Sequence, residues 1–252
     1  MKRALTLVIV VLMLSGIVCF ADRGDVILLE DTDENENVLL PLAGYKIGID
    51  PGHQLHADST REPVAPGSSN TKARVATGTR GVSTGKAEHE TDLEIALLLR
   101  ELLEELGAEV LMTREVADVN VSNVERAVMM NEWGADVVVR LHCNGSTDHT
   151  VQGMGMYVRK TGIGAEESAR LAHCLLEAMS ARTGAKARGV YKRDSYTGLN
   201  WSTVPCVLVE MGYMTNPAED EKLNDPAYQE KLVLGIAEGI MDYLPGKPIE
   251  KH

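Results

Sequence analysis

Apolar and polar positions along the chain alternate between two periods. Regular patterning begins at Tyr45, where Lys46-Ile-Gly-Ile-Asp50 reads as a buried strand stopped by Pro51-Gly52. Thr91-Asp-Leu-Glu94 has the form of a capping box. Apolar residues at 95, 96, 99, 102, 103 and 106 follow at helical spacing, and Gly107 is suited to the left-handed stop after a helix. The same reading predicts strands over Ala108–Thr113, Val137–Leu141 and Val204–Val209. It predicts helices over Asn123–Trp133, Glu166–Arg182 and Tyr228–Tyr243, with a short helical turn over Pro217–Leu223. Strands alternating with helices predict an α/β fold: a single three-layer domain, residues 45–244, whose central sheet is mainly parallel and carries helices on both faces. Residues 54–87 are rich in Gly, Ser, Thr and Pro and show no period, so a long functional loop is expected there.

The chain ends read differently. Lys2 and Arg3 precede an apolar run from Ala4 to Val18, and Cys19-Phe20-Ala21 offers small residues at the −3 and −1 positions of a cleavage site. Residues 1–21 are therefore expected to be a signal peptide, the alternative being an N-terminal anchor, and export is expected in either case. Residues 22–44 form an acidic linker, in which Val26–Leu29 could add a strand, and residues 245–252 a C-terminal tail.

Composition narrows the function. With 44% hydrophobic and 25% charged residues, the 252-residue chain has the material for a core. Its net charge of −12 argues against coating nucleic acid or an anionic membrane, so no nucleic-acid partner is expected. Cleavage at Ala21 would leave Cys143, Cys174 and Cys206, an odd number without CxxC spacing and no disulfide framework. Cys143 and Cys206 lie in apolar runs and read as small buried hydrophobes. A cysteine-based hydrolase has nothing to support it beyond the adjacency of His142 and Cys143.

His53, His142 and Glu210 each stand at the end of a predicted strand, and Glu88 lies on the loop entering the first helix. Parallel sheets gather ligands beyond the carboxyl ends of their strands, so these groups converge whatever their separation in sequence. Two imidazoles and a carboxylate suit a catalytic Zn²⁺ with an open position, and a further carboxylate can move protons beside it. The spacing alone matches no short metal motif, and a histidine after a strand is often satisfied by a backbone hydrogen bond. Asp50 reads equally as a partner behind a ligand histidine or as a turn former. Arg114 and Arg126 read as structural ion-pair residues. Lys192, Arg193 and Asp194 read as either a peptide-carboxylate contact or a solvated loop, and Trp201 as a rim or core residue.

Several stretches occur in order: Lys46-Ile-Gly-Ile-Asp-Pro-Gly-His53, Glu88-His-Glu-Thr-Asp-Leu-Glu-Ile-Ala96, Met112-Thr-Arg114, Asn131 through Asp136, Arg140-Leu-His-Cys-Asn144 and Val209-Glu-Met-Gly-Tyr-Met-Thr-Asn216. Together they resemble the zinc-dependent N-acetylmuramoyl-L-alanine amidases of the bacterial cell wall, the Amidase_3 family, over Tyr45 to Leu244. The resemblance implies Zn²⁺ held by His53, Glu88 and His142, Glu210 as the catalytic carboxylate, and peptidoglycan as substrate. Where the family often has Glu-Lys-Asp this chain has Glu88-His89-Glu90, which leaves Glu90 as a second ligand candidate and His89 as a bystander. The family's usual Ser-Ile-His-Ala-Asn is Arg140-Leu-His-Cys-Asn144 here. No repeat module for wall binding is visible, so targeting is assigned to the domain itself, the N-terminus or a targeting or activating protein partner, and a monomer is expected. The rival expectations are a zinc peptidase of similar fold and a catalytically silent wall-binding protein.

Overall fold

The computed structural model describes residues 8–12, 17–22, 25–27 and 40–244. Near the N-terminus, β1 (Val8–Leu12), β2 (Ile17–Asp22) and β3 (Asp25–Ile27) pair antiparallel in that order. The proposed leader and linker fall partly outside the described residues, and the 245–252 tail wholly so. No helix among the described residues is long and apolar enough to cross a membrane.

From Leu40 onward the chain builds a six-stranded sheet. Four strands, β4 (Lys46–Pro51), β7 (Glu109–Met112), β8 (Val137–Asn144) and β11 (Cys206–Tyr213), run parallel, with β9 (Met154–Arg159) and β10 (Ala187–Arg193) reversed beside them. The order across the sheet is β10-β9-β11-β8-β4-β7. Val137, Val139 and Leu141 of β8 and Val207 and Val209 of β11 are fully enclosed, which is why these strands read as unbroken apolar runs. Helices α1 (Glu88–Glu105), α3 (Ala165–Thr183) and α6 (Pro226–Tyr243) pack together against the sheet. Around α2 (Asn123–Trp133) and α4 (Thr197–Trp201), Met130 and Leu199 pack with Val138, Cys206 and Leu208 of the sheet. α5 (Pro217–Leu223) follows β11. The expected three-layer α/β arrangement is the observed one.

Three features depart from the sequence reading. The long loop contains a hairpin, β5 (Asp58–Pro63) with β6 (Thr71–Val75), mostly exposed and so without apolar alternation. The reversed strands β9 and β10 are additions to the expected set, and β10 is solvent-facing and basic and carries no apolar run. The first helix begins at Glu88, ahead of the capping box placed at Thr91. Its N-cap is Ala87, whose N–H donates to the Glu90 carboxylate at 2.8 Å, while Thr91 is buried inside the helix.

α3 and α6 approach closely enough to exclude side chains. A Cβ at Gly235 would lie 2.7 Å from Met179 Cα, and one at Gly239 2.7 Å from Leu175 Cα, both backbone atoms that cannot swing aside. Alanine improves helix propensity by about 1 kcal/mol over glycine, yet forced overpacking costs about 1–3 kcal/mol. Gly239→Ala is therefore expected to lower the thermal unfolding midpoint, as scanning calorimetry would show. An unchanged or raised midpoint would mean that the two helices slide apart freely.

Candidate functional site

β4 delivers the chain through Pro51 and Gly52 to His53. At Gly52 the backbone passes so near His142 that a Cβ would lie 2.5 Å from its ring. His53 has φ 55°, the one positive value at a non-glycine among the described residues, a conformation that costs free energy and gathers at functional sites. Three main-chain oxygens hold this turn. Arg114 donates to Pro51 O at 3.1 Å and Gly52 O at 2.7 Å, and Arg126 donates to His53 O at 2.8 Å.

The His53 ring then meets Glu88, the first residue of α1, and His142, near the end of β8. His53 Nε2 lies 3.0 Å from Glu88 Oε1, His142 Nδ1 lies 3.1 Å from the same oxygen, and the two nitrogens are 3.2 Å apart. His53 Nδ1 faces Ala76 O at 2.8 Å; a carbonyl only accepts, so Nδ1 carries the proton. In the neutral ring Nε2 therefore turns a lone pair on the Glu88 oxygen. Two backbone N–H groups, of Thr79 at 2.7 Å and Cys143 at 3.1 Å, fix that carboxylate. Burial would raise the Glu88 carboxyl, but the two imidazoles beside it, His142 foremost, outweigh burial and hold it well below the usual range. Burial also lowers His142 to about 4, which leaves that imidazole neutral. Three electron-pair donors thus point at one place, and His53, Glu88 and His142 could hold a metal ion there.

Glu210 stands in register with His142 on the neighbouring strand. It is buried, its Oε2 has no hydrogen-bond partner, and burial together with the Glu88 charge raises its carboxyl to about 8. A cleft of about 600 Å³ opens over this group and is lined by His53, Glu88, His142 and Glu210. All four expected site residues are therefore brought together. Glu90 is exposed and occupied by the helix cap, so it lies apart from the cluster. His89 is buried outside it, and its carbonyl accepts from Arg114 at 2.8 Å.

Asp50 takes neither of the roles expected of it. It is enclosed between two guanidiniums, Arg126 Nη1 at 2.7 Å and Arg140 Nε at 2.6 Å, and also accepts from Thr113 Oγ1 at 2.5 Å. Burial would raise it, but Arg140 and Arg126 outweigh burial and keep it ionised. Arg126 is thus the expected ion-pair residue, whereas Arg114 bonds carbonyl oxygens instead. Trp201, half-buried, ties α4 to β5, donating from Nε1 to Pro63 O at 2.9 Å. Lys192, Arg193 and Asp194 are exposed, with the Arg193 guanidinium over the rings of Tyr191 and Tyr157. Cys143 and Cys206 are buried as expected, and burial pushes both thiols up, Cys206 to about 12, which removes the cysteine-hydrolase reading.

Two residues behind the site were not singled out. Arg140 was seen only as a departure from a motif. Asp92 had the look of a capping-box residue, yet it is fully buried, and neither carboxylate oxygen has a hydrogen-bond partner. Burial and the charge of Glu88 raise it well above the usual range. An acid in the first turns of a helix gives no sequence signal that distinguishes it from an ordinary helix start.

Comparison with known proteins agrees with this geometry. The chain is 30% identical over 215 residues to the N-acetylmuramoyl-L-alanine amidase Rv3717 of Mycobacterium tuberculosis, covering 81% of this chain and 88% of that one. It is 26% identical over 227 residues to the germination-specific N-acetylmuramoyl-L-alanine amidase of Bacillus subtilis, covering 82% and 83%. Among solved structures, the N-acetylmuramyl-L-alanine amidase Ami1 of Mycobacterium smegmatis superposes with a TM-score of 0.74 at 26% identity, over 80% of this chain and 97% of that one. The Amidase_3 family profile, described as N-acetylmuramoyl-L-alanine amidase, matches residues 47–242, nearly all of the sheet and its helices, and the chain belongs to that family.

Proposed function

We propose that this chain is an exported zinc hydrolase that cuts the amide between the lactyl group of N-acetylmuramic acid and L-alanine in peptidoglycan. One observation supports it most: three lone-pair donors meet at edges of 3.0–3.2 Å with a partnerless buried carboxylate beside them. Lone pairs so close repel unless a cation lies among them. Tetrahedral ligation at about 2.0–2.1 Å separates ligand atoms by roughly 3.3 Å, so the triangle is of the right size for zinc. Two nitrogens and one oxygen also suit zinc better than magnesium or calcium, which prefer oxygen alone.

When bound, Zn²⁺ acidifies water and polarises the substrate carbonyl. The chain does the rest. His53 and His142 offer ring nitrogens, and Glu88 is kept ionised by the two imidazoles beside it and held in place by its two backbone N–H bonds. Glu210 removes a proton from the attacking water and returns it to the leaving nitrogen, which departs as an amine. Its raised carboxyl is matched to holding that proton between the two transfers.

The metal assignment has a direct test. His53→Ala, His142→Ala and Glu88→Ala are each expected to lose zinc measured by atomic absorption on the purified chain, whereas Glu90→Ala keeps it. Zinc retained in one of the first three removes that residue from the ligand set.

Glu210→Gln keeps the shape of the side chain, so zinc content should persist while turnover on muropeptides falls by roughly 10²–10⁴. Mass spectrometry of the products separates the amidase from a peptidase, since the amidase releases peptides beginning at L-alanine. The same variant carries a pH signature in the metal-free chain. Glu210 goes from an ordinary 4.5 to about 8 on folding, so between those values the folded state holds a proton that the unfolded chain has released. Stability from this group is present below pH 4.5 and is lost as pH rises through 8. After chelation, the melting temperature of the native chain should therefore drop more between pH 5 and pH 8 than that of Glu210→Gln. Equal drops would show that Glu210 titrates normally.

Export rests on the leader pattern of residues 1–21 and on a substrate that lies outside the cytoplasm. N-terminal sequencing of the secreted chain is expected to begin at Asp22, and a chain beginning at Met1 in membranes would favour the anchor.

A further inference from the structure

The four-residue centre accounts for one part of the cleft only. Beside it, Arg61, Lys72, Asn123, Arg126 and Arg140 line the same cavity, and Glu88 and Glu210 are the acids among its lining residues. In a chain of net charge −12, a cavity wall with four cations needs a reason. Arg126 has every nitrogen engaged: Nε with Val121 O, Nη1 with Asp50 and Pro51 O, Nη2 with His53 O. Arg140 does not. Its Nε is held by Asp50 and its Nη2 by Asn123 Oδ1 at 2.9 Å, but Nη1 has no hydrogen-bond partner among the described residues. That atom lies over Gly198, where a Cβ would sit 1.2 Å from it, so the bare glycine makes room for the guanidinium. Two buried guanidiniums share the single Asp50 carboxylate, which leaves a local excess of positive charge. Arg61 and Lys72 add to it from the hairpin. They bond only Thr71 and the carbonyl of Ser195, with no carboxylate partner among the described residues.

We propose that this wall is a carboxylate pocket, with Arg140 at its base and Arg61 and Lys72 at its mouth, that takes a free carboxyl group on the peptide side of the scissile amide. The proposal rests on the amidase reading and names the part of the substrate that this wall receives. Chemistry fixes the side: the one carboxyl group of N-acetylmuramic acid is already the acyl half of the bond to be cut, so a free carboxylate must come from the peptide. Arg140 and Gly198 both line the cleft, and a guanidinium braced on two of its nitrogens is held against that wall instead of swinging free, the pre-organisation that carboxylate recognition requires.

The test uses full-length, zinc-loaded protein and two muramyl peptides, one with its stem carboxyl groups free and one with them converted to carboxamides. The native chain is expected to favour the carboxylate substrate by roughly tenfold or more in kcat/KM, the difference lying in KM, because the carboxamide leaves the buried guanidinium unpaired. Arg140→Ser should bring the ratio toward one, and it leaves Asp50 paired with Arg126. Should that variant unfold, Arg61→Ala with Lys72→Ala, both on the exposed hairpin, is expected to reduce the ratio several-fold. Calorimetric binding of the two free stem peptides to Glu210→Gln gives the preference without turnover. Binding that favours the carboxylate without any hydrolysis by the native chain would leave the pocket standing and remove the amidase reading. Hydrolysis with a ratio near one, or a ratio unmoved in the folded variants, would overturn the pocket, as would equal competition by inorganic phosphate.

Discussion

One carboxylate between two guanidiniums ties the site to the sheet. Asp50 ends β4, Arg140 belongs to β8, Arg126 to α2, and Thr113 follows β7, so a single enclosed anion joins three neighbouring strands and the helix above them. Two of these residues lie a short step from the histidines of the cluster: His53 is three residues past Asp50, and His142 two past Arg140. Taking such charges out of water is expensive, and the net worth of a buried ion pair to stability is often small. What it supplies here is position. Removing the carboxylate would strand two buried cations, a change that costs about 3–5 kcal/mol even for one broken pair.

Several locally unfavourable arrangements coincide around that anchor. His53 adopts a left-handed backbone, Glu210 carries an oxygen without a partner, and Asp92 is buried with none for either oxygen. Each would relax if the surrounding chain let it. The strands on either side are fully enclosed, α3 and α6 meet backbone to backbone, and the arginines pin the His53 turn by its carbonyls. Rigid packing at a distance is what allows strained and desolvated groups to persist in the cleft, and desolvation is what makes a glutamate hold a proton near neutral pH.

Much of this could be read from the residues. The parallel strands were legible because burial on both faces leaves an unbroken apolar run, as in Val137–Leu141, and the convergence of His53, His142 and Glu210 followed from their places at strand ends. The hairpin and β10 were not legible. Their residues face solvent, and the Lys72–Ser195 contact that ties the hairpin down pairs residues 123 positions apart in sequence. Glu88 and Glu90 could be separated only once the helix start was known, because a shift of three residues decides which carboxylate caps and which faces the histidines. Asp50 was legible as important and illegible in role, since its two guanidinium partners lie 76 and 90 positions away.

The close approach of Arg140 to Gly198 also restricts how this cleft can change over evolutionary time. The guanidinium occupies the volume that any larger residue at 198 would need, so the two positions cannot drift independently. A lineage that fills position 198 must first shorten position 140, and one that acquires the long side chain must already have a glycine waiting opposite. The order of substitutions at these two positions is therefore set by sterics before selection acts on what the cleft binds.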